Sequence, residues 1–311
     1  MYKKIIFLIA LLILTLSSFQ AFSQDKSLKI YVPKAPPSIP LLKLEQKGYD
    51  IDIIYYNDVT TEILPRILKN EKALYIIPTN VSAKLYNKGK NIRQLSIASM
   101  GIVKIISTDP SASKISDLDG KEIHIPAPGS SPDVIARFLF SRNKVSPAIK
   151  YGSTPEITQL LLAGKIRSAV LPEPMASLVL TKKTDARMIS DTKSDWAAAV
   201  KGSGGIPQVG ICGEGSYISK MSGQIKLFLK DYGRAVKEVN ANPGDAAAEG
   251  RNRLEIALPA AVLAKSVPEM NLVNITGDDA YEELVIYFRV LLEMDSSSLG
   301  DKIPDGNFVI R

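Results

Sequence analysis

Short apolar runs alternate with segments whose apolar residues recur three and four positions apart, and Pro, Gly, Asn and Asp mark the changes. Beyond residue 24 the first apolar stretch is 28–32, which predicts a short strand ending at Pro33. The loop of Lys34, Ala35, Pro36, Pro37 and Ser38 follows, then a helix over 39–45. Strands over 51–56 and 73–77 flank a helix over 60–70, with Pro65 tolerated near its first turn. Pro78-Thr79-Asn80 closes the third strand, and 81–86 returns to helical spacing. The strongly apolar run 95–107, which contains Gly101, reads as a strand pair or one long crossing strand.

A second unit begins after the turn at Asp109-Pro110. It opens with a strand over 121–125, the loop 126–131, and a helix over 132–140 striped by Val134, Ile135, Phe138 and Leu139. Ser153-Thr154-Pro155-Glu156 starts another helix, with Pro155 at the first helical position and Gly164 past the end. A strand over 168–171 is closed by Pro172-Glu173-Pro174, and a helix over 175–180 completes the unit. The chain then returns through an apolar strand at 208–212 to a long helix with Ile225, Phe228, Leu229, Tyr232, Val236 and Val239 on one face. Asn242-Pro243 stops it, and a last helix over 278–294 carries Asp278, Asp279, Glu282 and Glu283 at its positive end. Strand and helix alternating in this way predict an α/β fold.

The start of the chain changes the picture. Lys3 and Lys4 precede an apolar run over 5–16, and Ala21-Phe22-Ser23 puts small residues where a signal peptidase reads. The run is short against the roughly 20 residues that span a bilayer, so cleavage after Ser23 is expected rather than anchoring. No cysteine follows it for lipid attachment. The formal charge of +7 is spread thinly, with a loose group at Lys84, Lys88, Lys90 and Arg93 that reads as a solvated face and not a nucleic-acid surface.

Inventory removes most catalytic chemistry. The single histidine, His124, and single cysteine, Cys212, cannot supply a four-ligand zinc site or a disulfide. His124 sits in the strand-like Glu122–Pro126 stretch, away from any nucleophile elbow. Cys212 lies in an apolar run and reads as a packed thiol. Gly202, Gly204 and Gly205 lack the Lys-Ser/Thr of a phosphate loop and run into Pro207, so they form a turn.

Three stretches carry a resemblance: PTNVSAKLYNKG (78–89), GSSPDVIARFLF (129–140) and AGKIRSAVLPEP (163–174), with weaker echoes in PPSIPLLKL (36–44) and IPDGNFVIR (303–311). They resemble the periplasmic solute-binding proteins of ABC importers, in the group that binds nitrate, taurine, aliphatic sulfonates and thiamine precursors. That resemblance implies a type II-like α/β fold of two lobes, each a sheet flanked by helices, joined by crossing strands near Ile105 and Pro207. Lobe I would comprise 24–104 and 208–311, and lobe II 105–207. It further implies a periplasmic, monomeric binder of a small solute that delivers to an importer permease, without cofactor, metal or catalysis. An anionic solute is expected first. The alternatives are a neutral aromatic vitamin precursor, a subunit of a sensory system, or an enzyme relative. The pyrimidine synthase of this fold uses a cysteine cluster and a histidine; this chain has neither the cluster nor a matching histidine.

Ligands of open α/β sheets bind beyond the carboxyl ends of strands. The candidate ligand residues are therefore Lys34, Pro37, Ser38, Thr79, Asn80, Gly129, Ser130, Ser131 and Glu173, all in loops directly after strands. Ser130 and Ser131 sit at a helix start whose N–H groups favour an anion. Equally, Ser131 reads as an N-cap before Pro132, and Asp133 already answers the dipole. Glu173 reads either as a ligand contact or as a carboxylate holding loop N–H groups. Trp196 is expected to pack in the core.

Overall fold

A computed structural model describes residues 27–254 and 258–311, so the expected leader lies outside the described residues. The first half of the chain runs β1 (Leu28–Pro33), α1 (Ile39–Gln46), β2 (Ile51–Tyr56), α2 (Leu64–Leu68), β3 (Leu74–Pro78), α3 (Thr79–Asn87) and β4 (Ile92–Met100). The expected helix over 60–70 is split. A π-turn over Val59–Ile63 leads into α2, because Pro65 has no N–H to offer the preceding turn and must sit in a helix's first turn. Asp58 starts this segment by accepting from the Thr61 N–H at 2.7 Å.

The middle of the chain runs β5 (Val103–Ser107), β6 (Glu122–Pro126), α4 (Ser131–Arg142), β7 (Ala148–Gly152), α5 (Thr154–Leu162), β8 (Ser168–Pro172), α6 (Met175–Lys182), β9 (Arg187–Asp191) and α7 (Thr192–Ala199). The start of α5 is the expected one: Ser153 and Glu156 form a reciprocal capping box, with Pro155 in the first turn. Gly164, at φ +68°, ends it. The remainder runs β10 (Pro207–Glu214), α8 (Gly215–Lys220), α9 (Ser222–Ala241), α10 (Pro243–Arg253), α11 (Ala260–Glu269), β11 (Leu272–Thr276) and α12 (Gly277–Met294).

Two sheets result. The first has the order β11-β4-β10-β3-β1-β2, with β1 parallel to β2 and β3, and β10 antiparallel to β3 and β4. The second has the order β7-β6-β8-β5-β9, with β6 parallel to β7 and β8, and β5 antiparallel to β8 and β9. The chain passes from first to second sheet at Gly101–Ile102, where Gly101 takes φ +92°, and returns to the first at Pro207. Register makes the consequence explicit. Pro78 at the end of β3 pairs with Val209, and Pro172 at the end of β8 pairs with Val103. Both crossings thus leave from the carboxyl edges of the parallel strands, and those edges of the two sheets meet.

One core runs beneath both crossings. It joins Ile97 and Met100 of β4, Val103 and Ile105 of β5, and Trp196 of α7. Trp196 is fully buried, 5.0 Å from the ring of Phe138 on α4 and 5.7 Å from that of Tyr287 on α12. The packing role expected of this tryptophan is the one observed. Through α12 the last part of the chain is packed against the second sheet's first helix, which couples the lobes. Cys212 is buried on β10, and burial pushes its thiol pKa well up, so it offers no thiolate.

Candidate functional site

The loops after β3, β6 and β8 converge on the crossing segments. The Thr79 hydroxyl donates to the Pro207 carbonyl at 2.5 Å. The Glu173 N–H donates to the Ile102 carbonyl at 2.7 Å, and the Glu173–Pro174 peptide is cis. Gln208 links the rest. Its Oε1 accepts from the Ile102 N–H at 2.8 Å, and its Nε2 donates to Ser131 Oγ at 2.9 Å. Ser131 Oγ also lies 3.0 Å from the Tyr287 hydroxyl. Gln208 is 4 % exposed, and sequence reasoning passed over it. Its only signal was an amide inside an otherwise apolar run at the return crossing.

Asn80 and Glu173 are nearly excluded from water, at 9 % and 6 % exposure. No hydrogen bond from the Asn80 carboxamide is made among the described residues, and Glu173 is held by Ser177, whose N–H donates to Oε2 at 3.2 Å and whose hydroxyl also interacts with the carboxylate. Burial is the main influence on Glu173. It drives the pKa up to about 7 against the opposing pull of Ser177 and Lys104. The carboxylate holds an N–H of the first turn of α6, not the loop N–H considered from the sequence.

The start of α4 is organised differently from an open anion seat. Ser130, not Ser131, occupies the N-cap position, and its hydroxyl is turned back to the Pro126 carbonyl at 2.7 Å. Asp133, 1 % exposed, folds over the turn and accepts from the Gly129 N–H at 2.9 Å. The same carboxylate meets Arg137 Nε at 3.1 Å and the Tyr151 hydroxyl at 3.0 Å. Gly129 has φ +73°, and an added Cβ there would lie 3.2 Å from an Asp295 carboxylate oxygen. The anion-favouring end of this helix therefore already faces two carboxylates.

The loop after β1 is set apart. Ser38 is fully buried, donating to the Pro33 carbonyl at 2.6 Å, and Pro37 is buried beside it, whereas Lys34 is exposed. This loop packs on α10, where Gly250 gives Ile39 its room.

A charged cluster ties the lobes beside Glu173. Lys104, 1 % exposed on β5, has its ammonium 2.6 Å from Asp191 and 2.7 Å from Glu269 at the end of α11. Burial works against the Lys104 charge, but the bonds to Asp191 and Glu269 outweigh it and raise the pKa. Nearby, Lys193 Nζ donates to Asn271 Oδ1 at 2.6 Å and Asn271 Nδ2 to the Gly101 carbonyl at 2.7 Å. Cavities of about 580, 740 and 300 Å³ lie elsewhere on the molecule, lined by none of the candidate residues. Convergent polar groups at the strand ends and crossings, not open volume, mark this site. Among the described residues, no group of three His, Cys, Asp or Glu is placed to hold a metal.

No protein-family model matches the chain, and no curated protein sequence matches it significantly. Its architecture does match solved structures: it is the α/β fold of the periplasmic solute-binding proteins. An ABC transporter protein from Parabacteroides distasonis superposes with a TM-score of 0.79 at 19% identity, over 92% of this chain and 99% of that one. The periplasmic aliphatic sulphonate binding protein SsuA from Escherichia coli gives 0.76 at 14% identity, over 93% of each chain. The periplasmic nitrate-binding protein NrtA from Synechocystis PCC 6803 gives 0.66 at 11% identity, over 90% of this chain and 86% of that one. These are proteins of the kind that the three sequence stretches resemble.

Proposed function

We propose that this chain is the extracytoplasmic solute-binding component of an ABC importer. In this reading the leader is cleaved after Ser23, and the mature protein, without a lipid anchor, acts as a monomer in the periplasm. Residues 24–104 with 208–311 form lobe I and 105–207 lobe II, and a small solute is held between them for delivery to the permease. One observation carries the reading: the carboxyl edges of both sheets face one another across the crossings and bring Asn80, Ser131, Gln208 and Glu173 together. Pairs of lobes joined by such crossings close on ligands by hinge bending. The site suits binding more than catalysis, since it contains neither His124 nor Cys212.

The named ligands of SsuA and NrtA are anions, which is the first expectation for this chain too. The electrostatics of the loops support a different solute. Asp133 and Asp295 crowd the α4 start, and Glu173 adds a further nearly buried carboxyl group. A neutral solute bearing hydrogen-bond donors, of the aromatic precursor type, meets these groups without placing like charges together. Sites built from buried acceptors reject ligands that lack the matching donor, because the acceptor is then left unpaired.

The test is a thermal-unfolding screen of small solutes in matched neutral and anionic forms. A true ligand at a hundredfold excess over its Kd stabilises by about 2.7 kcal/mol. Hits confined to donor-bearing neutral solutes support the reading. Hits confined to nitrate or sulfonates restore the anion, and stabilisation by none of the panel counts against solute binding. A pull-down that recovers a sensory receptor instead of a permease replaces transport with sensing.

A further inference from the structure

A second recess lies far along the first sheet from the interlobe loops. It is a groove of about 580 Å³ between α9, β11 and the last residues of the chain. Its floor is apolar: Leu95, Ile218 and Ile225 are at most 5 % exposed, and Leu229 and Ile310 extend it toward solvent. Its rim is basic. Lys226 and Lys230 stand one turn apart on α9, both exposed, and among the described residues neither has a carboxylate within ion-pair distance. Two like charges at this spacing repel each other, whereas Arg234 is answered by Asp231 at 2.9 Å and Glu238 by Lys47 at 2.8 Å, and Lys237 lies outside the groove.

The end of the groove carries balanced charges. Arg311 lines it and is fixed by Asp278 at 3.0 Å and by the Tyr281 ring at 5.1 Å. The 18-residue helix α12 also opens here. Thr276 at its N-cap makes no side-chain capping bond, and nothing lies within 4 Å of where a Gly277 side chain would project. Its first-turn N–H groups add positive potential, partly answered by Asp278 and Asp279.

Size decides the class of occupant. The volume falls in the range of small-molecule sites, about 300–1,000 Å³. A stable protein partner instead needs about 800 Å² of surface on each side. We propose that this groove binds a single-chain amphiphile, its alkyl tail on the Leu95–Ile225–Leu229 floor and its anionic head between Lys226 and Lys230. This site is separate from the interlobe one and does not depend on the transport reading.

The experiment is calorimetric titration of the full mature protein with decanoate below its micellar concentration, with decyltrimethylammonium as the cationic counterpart. Amide NMR shifts at Ile225, Leu229 and Ile310 locate the binding. Wild type should bind one decanoate, at least tenfold more tightly than the cation. Lys226→Glu with Lys230→Glu, both at exposed positions, should weaken decanoate at least tenfold and remove that preference, with the melting temperature retained. Lack of saturable decanoate binding overturns the proposal, as does equal affinity in the double variant. Binding to anionic phospholipid vesicles without binding to decanoate overturns it in favour of a membrane-facing surface.

Discussion

Replacing Glu173 with glutamine removes a charge that the folded chain has little means to solvate. The carboxyl is 6 % exposed, and burial raises its pKa from 4.5 to about 7. The sign follows from linkage. Below pH 4.5 the proton is held in both states and the group costs nothing. As pH rises through 4.5 the unfolded chain ionises first, and the folded state loses relative stability until its own carboxyl ionises near 7. Above that the penalty is constant, at about 3 kcal/mol. Glutamine keeps the acceptor that the Ser177 N–H uses at 3.2 Å, so in the solute-free protein the substitution removes the charge and turns the other oxygen into an amide donor. Urea unfolding of the solute-free protein should show Glu173→Gln more stable than wild type by about 2–3 kcal/mol near pH 8.5, and by less than about 1 kcal/mol near pH 5, with an unchanged denaturant slope. A gain that does not change with pH, or a loss at high pH, would refute the argument. It would mean that Glu173 is hydrated or that Lys104 neutralises it fully.

Two further variants probe the coupling of the lobes. Asp191→Asn with Glu269→Gln leaves the Lys104 ammonium buried without either of its ion-pair partners, with only the more distant Glu173 near it. It should cost about 3 kcal/mol or more, and denaturation curves showing less than 1 kcal/mol would mean the ammonium reaches water. Trp196→Ala empties the core that joins Phe138 of α4 to Tyr287 of α12. A loss of about 3–5 kcal/mol in one cooperative transition is expected, and two separated transitions would show that the lobes fold independently.

What the sequence disclosed follows from which signals are local. The capping box at Ser153 and Glu156 and the stripe on α9 are written within a few residues, and both are where the pattern puts them. The run 95–107 was ambiguous because apolarity alone cannot separate one buried strand from two. Gly101 at positive φ makes it β4 and β5, in different sheets. Several elements went unread, among them β7, β9, α11 and β11. β7 and β9 are sheet edges, and most of β7 faces solvent. At Asn242-Pro243 the stop was correctly placed, but the same Pro243 begins α10. In the candidate site, Glu173 and Asn80 were legible because each follows a strand and a proline. Gln208 was not, since its importance comes from Ile102 and Ser131, brought to it only by the crossing. The folding of Asp133 back onto Gly129 was half visible, as an acid in the first helical turn.

The central claim is that a small solute occupies the space where the two sheets' strand ends meet. Native mass spectrometry tests it most directly, on protein purified without denaturation and incubated with a small-molecule extract, wild type beside Asn80→Ala and Glu173→Gln. The account predicts one small molecule per wild-type chain and a much reduced bound fraction in both variants, which stay folded. A wild-type protein that retains nothing, or variants that hold the same molecule to the same extent, would contradict it.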